Sequence, residues 1–273
     1  MSLSPERFFL RLLFGSLLVL AGVLGGMYLL KEADPKPPKP LPHTTTVTPP
    51  PIPDTVAFAG EPVPTNDPEV LERLEHEMFA NAFSEMNTLL LIKRGGRWQD
   101  TTQAILREEG IPEDFYYLMV AESALRSRAT RWVGAQGFWQ FRPRTAREYG
   151  LFVSPYVDER NDPEKATRAA CQYLKNAYKI FGSWTLAAAS YNRGMGGIRG
   201  NLRRQNVRSF YNLHLNTETS RYMLRIVAIK LILQNPVRYG FHVKEEEKYK
   251  PYPTRLVEVS GPVDWHDFAQ AQG

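Results

Sequence analysis

From Asp67 onward, stretches in which apolar residues return every three or four positions alternate with short breaks of glycine, proline and asparagine, a pattern of amphipathic helices. Asp67-Pro68 supplies an N-cap and a first-turn proline. Val70, Leu71, Leu74, Met78, Phe79, Phe83, Met86, Leu89 and Leu90 then keep helical spacing to about Lys93, and Gly95-Gly96 is expected to break the helix. A second helix is expected over about Trp98 to Glu109, ending at Gly110. A third begins at Pro112, with Glu113 and Asp114 placing negative charge in its first turn. It turns apolar from Phe115 to Ala121 and delivers Glu122 and Ser123. Pro143 to Tyr149 reads as a short helix closed by Gly150. Asp162-Pro163 repeats the Asp-Pro start, and Ala166, Ala169, Ala170, Tyr173, Leu174, Ala177, Tyr178 and Phe181 form one side of the helix that follows. Trp184 to Tyr191 is a further apolar helix ending near Asn192, and Glu218 to Gln234 is stopped by Asn235-Pro236. No convincing strand alternation and no internal repeat interrupts this region, so the fold class predicted for it is all-α.

The flanks differ. Leu12 to Leu30 is 19 residues without a charge, about 28 Å as a helix and close to the ~30 Å of a bilayer core. No small-residue cleavage signal stands out after it, and no cysteine offers a lipid anchor, so residues 1–32 read as an uncleaved membrane anchor spanning about 12–30. The charges around it do not decide its orientation. Residues 33–66 hold eleven prolines and a Thr44-Thr45-Thr46 run with no apolar period. They read as a polyproline-biased linker that would reach on the order of 100 Å fully extended. Residues 67–240 form the expected helical domain. Residues 241–273 are a charged, partly extended tail, with a Lys244–Lys250 charge run and an extended look over Pro251–Val263.

Charge and composition narrow the function. A net charge of +5 and a pI near 9.2 permit an anionic partner without demanding one. No helix carries a Lys/Arg stripe, which argues against nucleic-acid binding. Cys171 is the single cysteine and reads as a small core residue, and the five histidines have no ligand-like spacing. Neither a metal nor any other cofactor is expected.

The candidate chemistry centres on Glu122. From Ala121 to Val157 the other acid is Glu148, against six arginines. A glutamate at the edge of an apolar wall, beside a glycine-punctuated aromatic turn, is expected to have a raised pKa through desolvation and so to protonate a leaving group. A glutamate near a helix end is more ordinarily a surface group or an arginine partner. Three further signals follow in order: Gly134-Ala135-Gln136-Gly137-Phe138-Trp139-Gln140, then Ser190-Tyr191-Asn192, then Glu218-Thr219 with Tyr222 one turn on. Each also has a plain structural reading, as a tight turn with core aromatics, a helix end and a first-turn acid.

Taken together, in this order, they resemble the lytic murein transglycosylases of the soluble-lytic-transglycosylase type, in particular the membrane-bound lytic murein transglycosylase D group, over about Asp67 to Tyr239. The resemblance implies a goose-type lysozyme-like fold and the periplasmic side of a bacterial membrane for the domain. It implies Glu122 as catalytic acid and base on peptidoglycan glycan strands. Ser123, Gly137, Phe138, Trp139, Gln140, Tyr191 and Asn192 would then line the sugar subsites, and Glu218 and Tyr222 would brace the cleft floor. It implies cleavage between N-acetylmuramic acid and N-acetylglucosamine with the muramoyl 6-hydroxyl as acceptor, which dispenses with the second carboxylate that ordinary glycosidases need. Two positions depart from the pattern: Arg131 stands where a serine is common, and Arg142 where an apolar residue is usual. The arginines suit the acidic stem peptides of the wall, although a solvated basic face would look the same. Val257–Gly273 could open a glycan-binding LysM-like module, of which no complete copy is present. A hydrolytic muramidase on the same fold and a catalytically silent wall-binding module are the competing readings.

Overall fold

A computed structural model describes residues 48–127, 129–130, 134–255, 257–259 and 261–272. The expected anchor at 12–30, the first part of the linker and Arg131 lie outside these residues. Among the described residues, no helix is long and apolar enough to cross a membrane. From Pro49 the chain forms one compact unit.

Helix α1 (Pro68–Ala82) starts as its Asp-Pro signal predicts, with the Asp67 carboxylate accepting from the amides of Glu69 and Val70. It ends eleven residues short of Lys93. Helix α2 (Glu85–Glu108) begins after Phe83-Ser84 and runs unbroken through Gly95-Gly96, so the expected break lies elsewhere. At the actual break, the Thr88 hydroxyl donates to the Asn81 carbonyl at 2.7 Å and satisfies a helix-end acceptor. The two glycines make room instead of stopping the helix. A Cβ on Gly95 would lie 3.3 Å from the Tyr116 hydroxyl, and one on Gly96 only 2.6 Å from Cβ of Lys248.

Helix α3 (Phe115–Ser123) is apolar on every side and buried on every side. Phe115, Tyr116, Leu118, Met119 and Val120 are at most 1% exposed. It packs between α2 and α8 (Thr217–Gln234). Short α4 (Pro143–Glu148) follows, and Gly150 takes a φ of +85° beyond it. The Asp162 carboxylate caps α5 (Pro163–Phe181), and Gly182 closes it in the left-handed region at φ +63°. Cys171, at 0% exposure, packs in its core face. Helix α6 (Trp184–Arg193) lies against α5 and α8. Helix α7 (Met195–Gln205), absent from the sequence reading, packs on α6 through buried Ile198. Along the other side of α8 runs α1, joined to it by Glu77, which is 1% exposed and contacts Arg221 at 2.6 Å and Arg225 at 3.4 Å. Among the described residues the domain is therefore mostly helical, with one small hairpin and a few isolated bridges.

That hairpin corrects the reading of the linker. Strands β1 (Ala57–Phe58) and β2 (Glu61–Pro62) pair antiparallel, Ala57 opposite Pro62 and Phe58 opposite Glu61, within the stretch expected to be a spacer. Val56, Phe58 and Val63 are buried, and the Phe58 ring meets Phe115 edge-on at 5.2 Å. The Ala59 amide donates to the Asp114 carboxylate at 2.6 Å, and Lys230 joins the same oxygen at 2.7 Å. Glu61 sits on the N-terminus of α6, taking bonds from the Ser183 hydroxyl and from the Trp184 and Thr185 amides. Proline content masked three apolar anchors and a helix-capping acid.

The tail is likewise partly docked. The Tyr249 amide donates to the Lys93 carbonyl at 2.8 Å and Arg97 Nε to the Lys250 carbonyl at 2.8 Å, which lays 248–252 along α2. A short helix α9 (Trp265–Gln272) follows the charged stretch.

Burial pushes the Glu61 carboxyl up, but the hydrogen bonds from Thr185, Trp184 and Ser183 outweigh it and leave the group below its ordinary value. A carboxylate depressed in the folded state contributes stability that is complete above its unfolded pKa of about 4.3 and fades as pH falls through the folded value. Glu61→Gln is expected to cost on the order of 1 kcal/mol at pH 7, and less as pH falls below 4. Urea unfolding of both proteins at pH 7 and pH 3 checks this, and an equal difference at the two pH values would contradict it.

Candidate active site

Glu122 occupies the last turn of α3 and is half-buried. The helix ends immediately after it, because Ala124 and Leu125 both take left-handed backbone, at φ +51° and +56°. Such conformations cost non-glycine residues on the order of 1 kcal/mol or more each. Ser123 holds this turn: its hydroxyl donates to the Met119 carbonyl at 3.0 Å and accepts from the Leu125 amide at 3.2 Å. Arg94 donates to the Ala124 carbonyl at 3.0 Å from α2. Ser123 is 2% exposed. It shapes the backbone that carries the acid and does not line the subsites expected of it.

Helix α8 supplies what faces the acid. Tyr222 Oη donates to Glu122 Oε1 at 2.6 Å, across a hundred residues of sequence. Three residues before Tyr222, the Thr219 hydroxyl donates to Asn192 Oδ1 at 3.0 Å and fixes that amide at the end of α6. Thr219 shares a helix side with buried Met223 and Ile226. Thr219 belongs to the Glu218-Thr219 signal of the sequence, in which the role of bracing the cleft floor is expected of Glu218. Glu218 itself has a side chain 60% exposed and contacts Arg225 at 3.3 Å.

The glycine turn is held from beneath. Gly137 adopts φ +80°, and a Cβ there would lie 1.8 Å from the Arg160 carbonyl oxygen. The Arg160 guanidinium, 5% exposed, donates to the carbonyls of Gly134 and Phe141, to Gln136 and twice to Asp158. These bonds use all five of its N–H groups. Arg160 in turn holds the Asp158 carboxyl below the usual carboxylate range. Neither residue stands out in the sequence, because the bonds that join Arg160 to Gly134, Gln136 and Phe141 span 19 to 26 residues.

Phe138 and Trp139, expected to line the sugar subsites, are fully buried. Phe138 packs against Trp98 at 4.8 Å, and the Trp139 indole N–H reaches the Thr167 hydroxyl at 2.9 Å. Here the plain core reading of the aromatic turn prevails. Gln140 differs. Its amide nitrogen donates to the carbonyls of Ala129 and Gly137, both at 2.8 Å, while its buried Oε1 has no hydrogen-bond partner among the described residues. The Tyr191 hydroxyl donates to the Trp139 carbonyl at 2.9 Å. Burial, and then the Glu122 charge, push that phenol well above its ordinary pKa, so it stays a donor. Gln140, Tyr191 and Asn192 border a pocket of 300 Å³ whose rim includes Arg142 and Arg193. No carboxylate lines it among the described residues.

An acid at a helix end, oriented by a tyrosine and close enough to Tyr191 of that pocket for its charge to raise the phenol's pKa, defines a candidate acid–base site on a helical scaffold. Residues 101–214 match the family model of the transglycosylase SLT domain. It is 32% identical over 173 residues to "Membrane-bound lytic murein transglycosylase D" of Escherichia coli (strain K12), and equally to the protein of that name from Escherichia coli O6:H1. The matched region is 62% of this chain and 38% of each relative, so the chain spans well under half the length of the relatives it matches.

Gly137→Ala meets both a left-handed φ and a backbone oxygen, and is expected to lower stability by about 2–4 kcal/mol. A thermal melt within a degree of the parent would show that the turn can yield.

Proposed function

We propose that the chain is a peptidoglycan lytic transglycosylase, with Glu122 as its acid and base, working at the outer side of a bacterial membrane to which residues 12–30 anchor it. The observation that carries this reading is the 2.6 Å bond from Tyr222 to Glu122 beside the Asn192–Thr219 pair. It joins three segments that lie far apart in the sequence and that the family resemblance groups together. The SLT match and the names of the relatives support the same class.

Glu122 protonates the glycosidic oxygen between N-acetylmuramic acid and N-acetylglucosamine, and the C1–O bond breaks. The muramoyl 6-hydroxyl closes onto C1, and Glu122 takes the proton that this hydroxyl releases. One water fewer is consumed than in hydrolysis, and the product ends in a 1,6-anhydro ring. Tyr222 orients the carboxyl for both transfers. Acid–base work of this kind is worth roughly 10²–10⁴-fold, and positioning supplies the rest.

Glu122→Gln is expected to abolish release of fragments from purified sacculi while leaving the circular dichroism spectrum and melting temperature close to the parent. Mass spectrometry of the parent's products should find muropeptides one water lighter than reducing-end ones. Reducing ends would instead identify a hydrolytic muramidase, and cleavage by the Gln variant would remove Glu122 from the chemistry. Tyr222→Phe should lower kcat about tenfold with KM little changed, since it removes a bond to a charged group that acts at the reacting centre. A change confined to KM would make Tyr222 a substrate contact instead.

A further inference from the structure

Beside the turn that follows Glu122 lies a second pocket, of 580 Å³. Its floor includes Leu125, three residues after the acid, and so within about 11 Å of it Cα to Cα. Much of its wall comes from outside the matched SLT residues. Arg94, Arg97 and Trp98 project from α2, and Tyr249 and Tyr252 come from the docked tail. Arg126 adds a third guanidinium from the turn itself. No carboxylate lines the pocket among the described residues.

The tail is built into this wall. The Arg97 guanidinium lies 3.9 Å over the Tyr252 ring and donates to its hydroxyl at 2.7 Å, and Tyr252 meets Trp98 edge-on at 6.2 Å. Gly96 allows the tail to lie this close, since its missing Cβ is the space that Lys248 fills. Three cations without a lining acid, set between aromatic faces, fit an elongated anionic ligand with aliphatic parts. In a glycan strand of the wall, the carboxylates and aliphatic side chains are concentrated on the stem peptide and not on the sugar rings.

We infer that this pocket, completed by Tyr249 and Tyr252 of the tail, binds the acidic stem peptide of the strand whose sugars lie at Glu122. The inference rests on the reading of the chain as a peptidoglycan enzyme and adds a specificity determinant to it. The tail then selects peptide-bearing strands over denuded ones.

The test uses the full chain with two variants. Gly96→Leu keeps a good helix former in α2 but drives a side chain into Lys248, and so lifts the tail. Arg126→Ala removes one cation and leaves the tail in place. Each protein is given peptide-bearing strands and the same strands stripped by an amidase, and the ratio of cleavage rates is taken. Binding of a free stem tetrapeptide is measured separately by calorimetry. The ratio is expected to fall about tenfold in Gly96→Leu and a few-fold in Arg126→Ala, with weaker tetrapeptide binding in both. Ratios equal to the parent's, or a tetrapeptide that the parent does not bind, would overturn the inference while leaving the transglycosylase reading intact. If the parent cleaves neither strand yet binds the tetrapeptide through Arg126, the proposed activity falls and the pocket stands.

Discussion

A nine-residue helix that is apolar on every side is stable in water only when other elements enclose it, and α3 is enclosed by α2, by α8 and by the N-terminal hairpin. Burying its side chains contributes on the order of 10 kcal/mol, an upper figure because an unfolded chain already hides some of that surface. The polar end of this apolar rod cannot be buried without partners. It emerges where Tyr222 and the Ser123 turn can receive it. The acid is therefore held by the packing of the whole domain, and elements far from it in sequence converge on it because they must cover α3.

The second support is Arg160. A buried guanidinium is costly unless every donor is satisfied, and here each is, by two backbone carbonyls, an amide and a carboxylate. The result is a rigid pedestal under the glycine turn, in which Gln140 is fixed by its bonds to the Ala129 and Gly137 carbonyls. Polar rigidity beneath one wall and apolar rigidity beneath the other give the site two independently fixed sides.

Much of this was legible because it is local. Asp67-Pro68 and Asp162-Pro163 announce helix starts through bonds that span two or three residues, and Gly150 marks an end by backbone preference. Glu122 could be singled out because it terminates an apolar run. Tyr222 could be grouped with it only through the family resemblance, since the bond that joins them crosses a hundred residues. What was misread depends on neighbours that a linear pattern does not display. Gly95-Gly96 breaks a helix in isolation but accommodates Tyr116 and the tail in the fold. Helix α7 escaped because Gly196, Gly197 and Gly200 erase its apolar period. Val56, Phe58 and Val63 alternate too briefly among prolines to stand out. Phe138 and Trp139 turn inward, in a loop whose left-handed Gly137 and Gln140 set directions that composition does not encode.

The consecutive left-handed residues Ala124 and Leu125 bear on how this protein can change. Glycine at either position would relieve the backbone and could raise stability, yet it would also loosen the joint on which the carboxyl is mounted. Selection for robustness and selection for turnover would thus pull this pair of residues in opposite directions. A variant library sorted first for heat resistance and then for wall digestion should split at these two sites.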